Sequence, residues 1–72
     1  METMKQTKLI QIRRQSGLSR EAAARSIQIS TSAWLSYETG QRIPSLSVAF
    51  RISRLLGMAV DELFYYPESH NM

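Results

Sequence analysis

Glycines at positions 17, 40 and 57 divide this sequence into short segments whose apolar residues recur at helical spacing. Glycine is favoured just past the last turn of a helix because it adopts positive φ without a steric penalty. A serine suited to capping a helix N-terminus precedes three of the segments, at positions 19, 30 and 45. No stretch alternates apolar and polar residues as a strand does, so the pattern predicts an all-α fold.

The segments predict a compact bundle of five helices. Thr3 and Gln6 fit a capping box, and the helix that they begin ends before Gly17. Its inward face carries Leu9, Ile12 and Arg13. The other four helices are expected at Ser19 to Ile27, Ser30 to Thr39, Ser45 to the glycine at 57, and Val60 to Phe64.

A chain of 72 residues with 43% apolar side chains is expected to form one domain, over residues 1–66, with a short tail at 67–72. With no cysteine and one histidine, His70, we expect no disulfide, no metal site, no cofactor and no cysteine nucleophile. No apolar run approaches the roughly 20 residues of a membrane span, and the segment from Met1 to Lys8 is polar. We therefore expect a cytoplasmic protein without membrane contact. We also expect no domain that senses a small-molecule effector, because 72 residues leave no room for one.

Charge is distributed unevenly along the chain. All nine Lys and Arg residues lie between Lys5 and Arg54, against only two acids there, Glu21 and Glu38, which gives this span a net charge of +7. The remaining 22 residues carry four acids and no Lys or Arg, for a net charge of −4. A basic body with acidic ends suggests a polyanionic partner, although solvated surface charge produces the same pattern.

Two short helices joined by a three- to four-residue turn form a helix-turn-helix, whose second helix enters the DNA major groove. The helices at Ser19 to Ile27 and Ser30 to Thr39 fit this description. From Leu9 to Phe64 the chain resembles the Cro and phage-repressor type of helix-turn-helix regulator. The resemblance is carried by three strings, IRRQSGLSREAAARSIQIS, TSAWLSYETGQRIPSL and RISRLLGMAVDELF. It implies a lambda-repressor-like fold and a sequence-specific regulator, most simply a repressor, that binds double-stranded DNA.

The resemblance also implies which residues contact DNA. Arg20 matches a position that reaches phosphate, and Gln41 with Arg42 lies where phosphate or the minor groove is within reach. The positions that face base edges are Thr31, Ser32, Leu35 and Ser36. The Ser and Thr hydroxyls among them discriminate bases weakly. Leu35 suits thymine methyl groups, or else contacts lipid or protein.

Other positions implied by the resemblance are structural. Arg13 and Glu38 match an internal ion pair, the alternative being two unrelated surface charges. Trp34 stands where the family usually has Ile, and Ala23 where it usually has Leu. Because the volumes compensate, we expect Trp34 to fill the core and not to stack on bases. Gln28 occupies a turn position where glycine is common and carries strain if its φ is positive.

The expected partners are double-stranded DNA and a second copy of the chain. Two modules on neighbouring half-sites gain affinity and specificity over one. Apolar residues of the C-terminal half suggest the dimer interface, although Tyr65 and Tyr66 could instead fold back over the first helix and cover Ile10. The suggested interface residues are Val48, Leu55, Phe64, Tyr65 and Tyr66.

Two other functions compete with DNA binding. Catalysis is disfavoured because no serine and histidine are suitably placed, no glycine-rich phosphate loop exists, and the adjoining Asp61 and Glu62 point in different directions. The stronger alternative function is protein contact, in which the helix-turn-helix module acts as an antitoxin or anti-repressor partner does.

Overall fold

The computed structural model describes residues 5–65. Within this range the chain forms five α-helices and no strand, which confirms the predicted all-α architecture. The expected domain boundary at residue 66, as well as Thr3 and Tyr66, lies outside the described residues. The helices are α1 (Thr7–Gln15), α2 (Arg20–Ser26), α3 (Thr31–Thr39), α4 (Leu46–Leu56) and α5 (Val60–Leu63).

The three predicted serine caps are present. The side chains of Ser19, Ser30 and Ser45 accept hydrogen bonds from backbone N–H groups three residues further on, at 3.0, 3.0 and 3.2 Å. Gly40 ends α3 in the left-handed conformation, with φ of 82°. These caps satisfy backbone groups that have no partner inside the helix, which explains why the predicted boundaries of α2, α3 and α4 agree with the observed ones to within a residue or two.

The start of α1 differs from the prediction. Its N-cap is Gln6, whose side chain makes no capping bond, so the helix begins at Thr7 and not just after Thr3; the expected capping box involves Thr3, which lies outside the described residues. The amide of Gln6 instead bonds the backbone of Tyr65 twice, accepting from its N–H at 2.7 Å and donating to its carbonyl at 3.0 Å. The backbone N–H of Gln6 donates to the carbonyl of Glu38 at 2.9 Å. Gln6 thus joins the beginning of α1 to the end of α3 and to the segment after α5.

The core contains side chains from all five helices. Leu9, Trp34, Ile52 and Leu63 are fully buried, and the methyl of Ala23 lies in the same cluster. The predicted role of Trp34 as a core residue is confirmed, because its ring has no exposed surface for stacking on bases. Trp34 on α3 is large and Ala23 on α2 is small, and both belong to this cluster, so the packed volume of the helix pair is maintained.

The turn between α2 and α3 contains backbone strain at one position. Gln28 adopts φ of 63°, the only non-glycine residue with positive φ among residues 5–65. The left-handed region is unfavourable for a residue with a Cβ. The turn is held from α4 by Arg51, which donates a hydrogen bond to the carbonyl of Ile27 at 2.7 Å. Arg51 therefore connects α4 to the end of α2.

Candidate nucleic-acid interface

The first two turns of α3 present the four side chains that were expected to face bases. Thr31, Ser32 and Leu35 are exposed and Ser36 is half-buried. The pairs at positions 31 and 35 and at 32 and 36 are each one helical turn apart, so they form adjacent rows on one side of the helix. The opposite side of α3 carries the buried residues Trp34, Tyr37 and Glu38. The helix is therefore fixed to the core while its small polar face stays open.

The hydroxyl groups on this face differ in their hydrogen bonds. The Oγ of Ser36 donates to the carbonyl of Ala33 at 2.6 Å. Among the described residues, the hydroxyls of Thr31 and Ser32 make no hydrogen bond. Two of the three hydroxyls thus retain both donor and acceptor capacity.

A buried carboxylate lies behind this face and accepts three hydrogen bonds. Glu38 is 0% exposed. Its Oε2 accepts from Arg13 Nε at 2.6 Å and from Trp34 Nε1 at 2.7 Å, while its Oε1 accepts from Arg20 Nε at 2.8 Å. The partners implied by the resemblance, Arg13 and Glu38, are in direct contact, and Arg13 is itself buried. The sequence did not indicate that Arg20 and Trp34 share the same carboxylate.

These contacts determine the ionisation of Glu38. Burial alone would raise the pKa of the Glu38 carboxyl, but the hydrogen bonds from Arg13, Trp34 and Arg20 together outweigh burial and hold its pKa below the ordinary value. The carboxylate is therefore charged at neutral pH and neutralised by two guanidinium groups. It fixes α1, α2 and α3 relative to one another.

Arg20 belongs both to this buried cluster and to the surface. Its side chain is 40% exposed, and only its Nε bonds Glu38. A surface cleft between α1, α2 and α3 brings Arg20 and Arg14 beside Thr31 and Leu35, and Glu21 also lines it. The ion pair restricts the Arg20 guanidinium to this edge of α3 while its Nη groups remain available. Such an arrangement suits an anion that lies along the edge of the recognition face.

The loop after α3 is fixed to the end of that helix. The backbone N–H groups of Gln41 and Arg42 both donate to the carbonyl of Ser36, at 3.0 and 3.2 Å. The guanidinium carbon of Arg42 lies 5.8 Å from the centre of the Tyr37 ring, which is within cation–π range. Both loop side chains are exposed. A second basic group is therefore held at the C-terminal end of α3.

The residues suggested for the dimer interface differ in exposure. Phe64 is only 4% exposed and belongs to the core cluster, so little of its side chain is available to a second copy. Val48 and Leu55 are half-buried against the same core. Tyr65 is 57% exposed, and its backbone, not its ring, is bonded to Gln6.

Three further exposed apolar residues lie at or just before the start of α4. Ile43, Leu46 and Phe50 are 65%, 69% and 53% exposed; we call them the α4 patch. The helical spacing of α4 is the sequence signal for this patch. Leu46 and Phe50 are one turn apart, and Ala49 and Ile52 define the buried side of the helix.

Residues 5–65 contain neither a membrane-spanning helix nor a metal-binding cluster. None of the helices in this range is long and apolar enough to cross a membrane. The same residues contain no group of three or more His, Cys, Asp or Glu side chains that could hold a metal ion.

Comparison with known proteins identifies a family and a similar solved structure. Residues 7–63 match the family model described as a helix-turn-helix domain. The fold resembles a crystal structure of a transcriptional regulator from Listeria innocua, with a TM-score of 0.74 and 20% sequence identity, covering 100% of this chain and 68% of the other. No match to a curated protein was found. At this identity the structural likeness shows the fold alone.

Proposed function

Since the chain belongs to the helix-turn-helix domain family, we propose that it is a sequence-specific regulator of transcription, acting as a repressor, that reads the DNA major groove with α3. The observation that carries the proposal is the open face formed by Thr31, Ser32, Leu35 and Ser36 at the start of α3, with basic groups at both ends of that helix. An α-helix fits the major groove, and this face is the part of α3 that the core leaves free.

Affinity in this proposal comes chiefly from phosphate contacts. Arg20 is oriented by Glu38 at one edge of the face, and Arg42 is placed by Tyr37 after the other end. Gln41 adds a neutral polar side chain beside Arg42. Phosphate contacts fix the register of the protein on the duplex but carry no sequence information. With such small side chains facing the bases, part of the specificity arises from DNA shape.

We further propose that two copies bind one operator. A single small module covers little of a duplex, whereas two modules one helical turn apart read about twice the sequence. Ile43, Leu46 and Phe50 follow Arg42 closely along the chain, so the α4 patch adjoins the loop expected to contact DNA. A second copy held there would be placed next to the same duplex. Repression follows if the bound dimer occludes a promoter.

The α4 patch is also the observation that favours a second function. Exposed apolar residues mark protein contacts in general, including those of an antitoxin or anti-repressor partner. The salt dependence of binding separates the two functions. DNA affinity falls steeply with salt, whereas an apolar contact between proteins does not.

The test of DNA binding is selection of a preferred site from a random duplex pool, followed by fluorescence anisotropy on the selected duplex. The Thr31→Ala, Ser32→Ala, Ser36→Ala triple variant should bind the selected and a scrambled duplex with more nearly equal affinity. Arg25→Ala is a control, because Arg25 is exposed in the last turn of α2 and lies outside the proposed interface. An unchanged preference for the selected site in the triple variant would refute direct readout by α3.

A further inference from the structure

The hydroxyl of Ser36 has a fixed hydrogen-bonding polarity. We propose, on the premise of the proposed DNA binding, that Ser36 reads an exocyclic amino group of a base, adenine N6 or cytosine N4, and not a base acceptor. A serine hydroxyl has one proton to donate and two lone pairs. Its proton is already donated to the carbonyl of Ala33 at 2.6 Å, so only acceptor capacity remains.

The surroundings of Ser36 hold the residue in place. Its carbonyl accepts the N–H groups of Gln41 and Arg42 and the hydroxyl of Thr39, the last at 3.2 Å. The residue is half-buried and follows Leu35 at the open edge of α3. Turning the hydroxyl proton towards a base would break the bond to Ala33. The hydroxyls of Thr31 and Ser32 have no such bond within the described residues and remain free to donate or accept.

The hydrogen-bonding groups on base edges determine which bases an acceptor-only hydroxyl can contact. In the major groove, adenine N6 and cytosine N4 are the donors, while guanine presents only acceptors and thymine an acceptor and a methyl group. An acceptor-only side chain therefore pairs with adenine or cytosine. Within α3, no Arg, Lys, Asn or Gln is present to bind guanine bidentately. Ser36 can thus distinguish adenine and cytosine, whose amino groups face the major groove, from guanine and thymine.

The test removes single amino groups from the selected site. Each adenine is replaced in turn by 2-aminopurine, which lacks N6, and each cytosine by 2-pyrimidinone, which lacks N4. The affinity ratio between parent and substituted duplex is measured for the wild type, for Ser36→Ala and for Ser32→Ala as the matched control. Because each ratio compares two duplexes with the same protein, a change in the stability of a variant cancels.

We expect one substituted position to weaken wild-type binding about three- to tenfold, the value of a single net hydrogen bond. The same substitution should leave Ser36→Ala unaffected and should still weaken Ser32→Ala. The analogue that produces the effect identifies the base as adenine or cytosine.

Two results would overturn this inference while leaving DNA binding intact. One is an equal loss of affinity for wild type and for Ser36→Ala when each amino group is removed in turn. The other is coupling of Ser36 to a base acceptor, detected with 7-deazaguanine or 7-deazaadenine, which would show that its hydroxyl donates. Failure to bind any duplex at low salt would instead refute the proposed function itself, and the inference with it.

Discussion

Replacing Arg13 by alanine tests the central packing contact of the fold. Arg13 is buried, and its Nε lies 2.6 Å from Oε2 of the fully buried Glu38. One of its Nη atoms also donates to the carbonyl of Leu18 at 2.8 Å. The substitution removes both bonds and leaves the Glu38 carboxylate in the core with only Arg20 and Trp34 as partners. The variant is therefore expected to be substantially destabilised.

The size of the effect follows from the remaining partners of Glu38. Breaking a buried ion pair from one side costs about 3–5 kcal/mol. Arg20 still bonds Oε1 and supplies a compensating charge, although its side chain is 40% exposed, so we expect the lower end, about 3 kcal/mol. Domains of this size hold about 5–15 kcal/mol in total. At about 4–8 °C per kcal/mol, the melting temperature should fall by about 12–24 °C.

Thermal unfolding followed by circular dichroism measures this change, with Arg14→Ala as the control. Arg14 is the neighbouring residue of α1 and is exposed. Because the pKa of Glu38 is lowered in the folded state, the ion pair stabilises the protein above the unfolded-state pKa and loses its effect as the pH falls through the folded-state value. The difference between wild type and Arg13→Ala should accordingly shrink below about pH 4. A melting temperature for Arg13→Ala equal to that of Arg14→Ala would refute the argument.

Three further predictions concern other residues. Arg20→Ala should weaken binding to all duplexes similarly and reduce the slope of log affinity against log salt by about one, whereas an unchanged slope would exclude a phosphate contact. Gln28→Gly should raise the free energy of unfolding by about 1 kcal/mol, measured in urea, because glycine relieves the positive φ; Gln28→Ala should not, and an equal gain in both would show that strain is not the cause. Leu46→Glu with Phe50→Glu should abolish dimer formation in sedimentation, and dimers that persist would place the interface outside the α4 patch.

The helix boundaries could be predicted because their determinants are local. Ser19, Ser30 and Ser45 each cap a helix within three residues of their own position, and Gly40 supplies a left-handed residue where α3 ends. Such signals depend on the nearby chain and not on the tertiary arrangement.

The environment of individual side chains was harder to predict, because it depends on distant contacts. Phe64 directly follows α5 and Leu46 is the first residue of α4; both side chains are apolar, yet Phe64 is buried and Leu46 is 69% exposed. The bond between Arg20 and Glu38 joins residues 18 positions apart, and the bonds from Gln6 to Tyr65 join residues 59 positions apart. No periodicity in the sequence encodes these pairs. The resemblance supplied the partners Arg13 and Glu38 but not the two further donors to the same carboxylate.

The most direct measurement of the proposed function is fluorescence anisotropy of a selected, labelled duplex at several salt concentrations. If Arg20 and Arg42 neutralise phosphates, log affinity should fall against log salt with a slope of at least about 2 per protomer, at about 0.9 per phosphate. The selected duplex should also bind more tightly than a scrambled one at every salt concentration. Two results would contradict the assignment of this helix-turn-helix domain to DNA. One is equal affinity for the selected and the scrambled duplex together with an affinity that does not change with salt, and the other is no binding even at low salt.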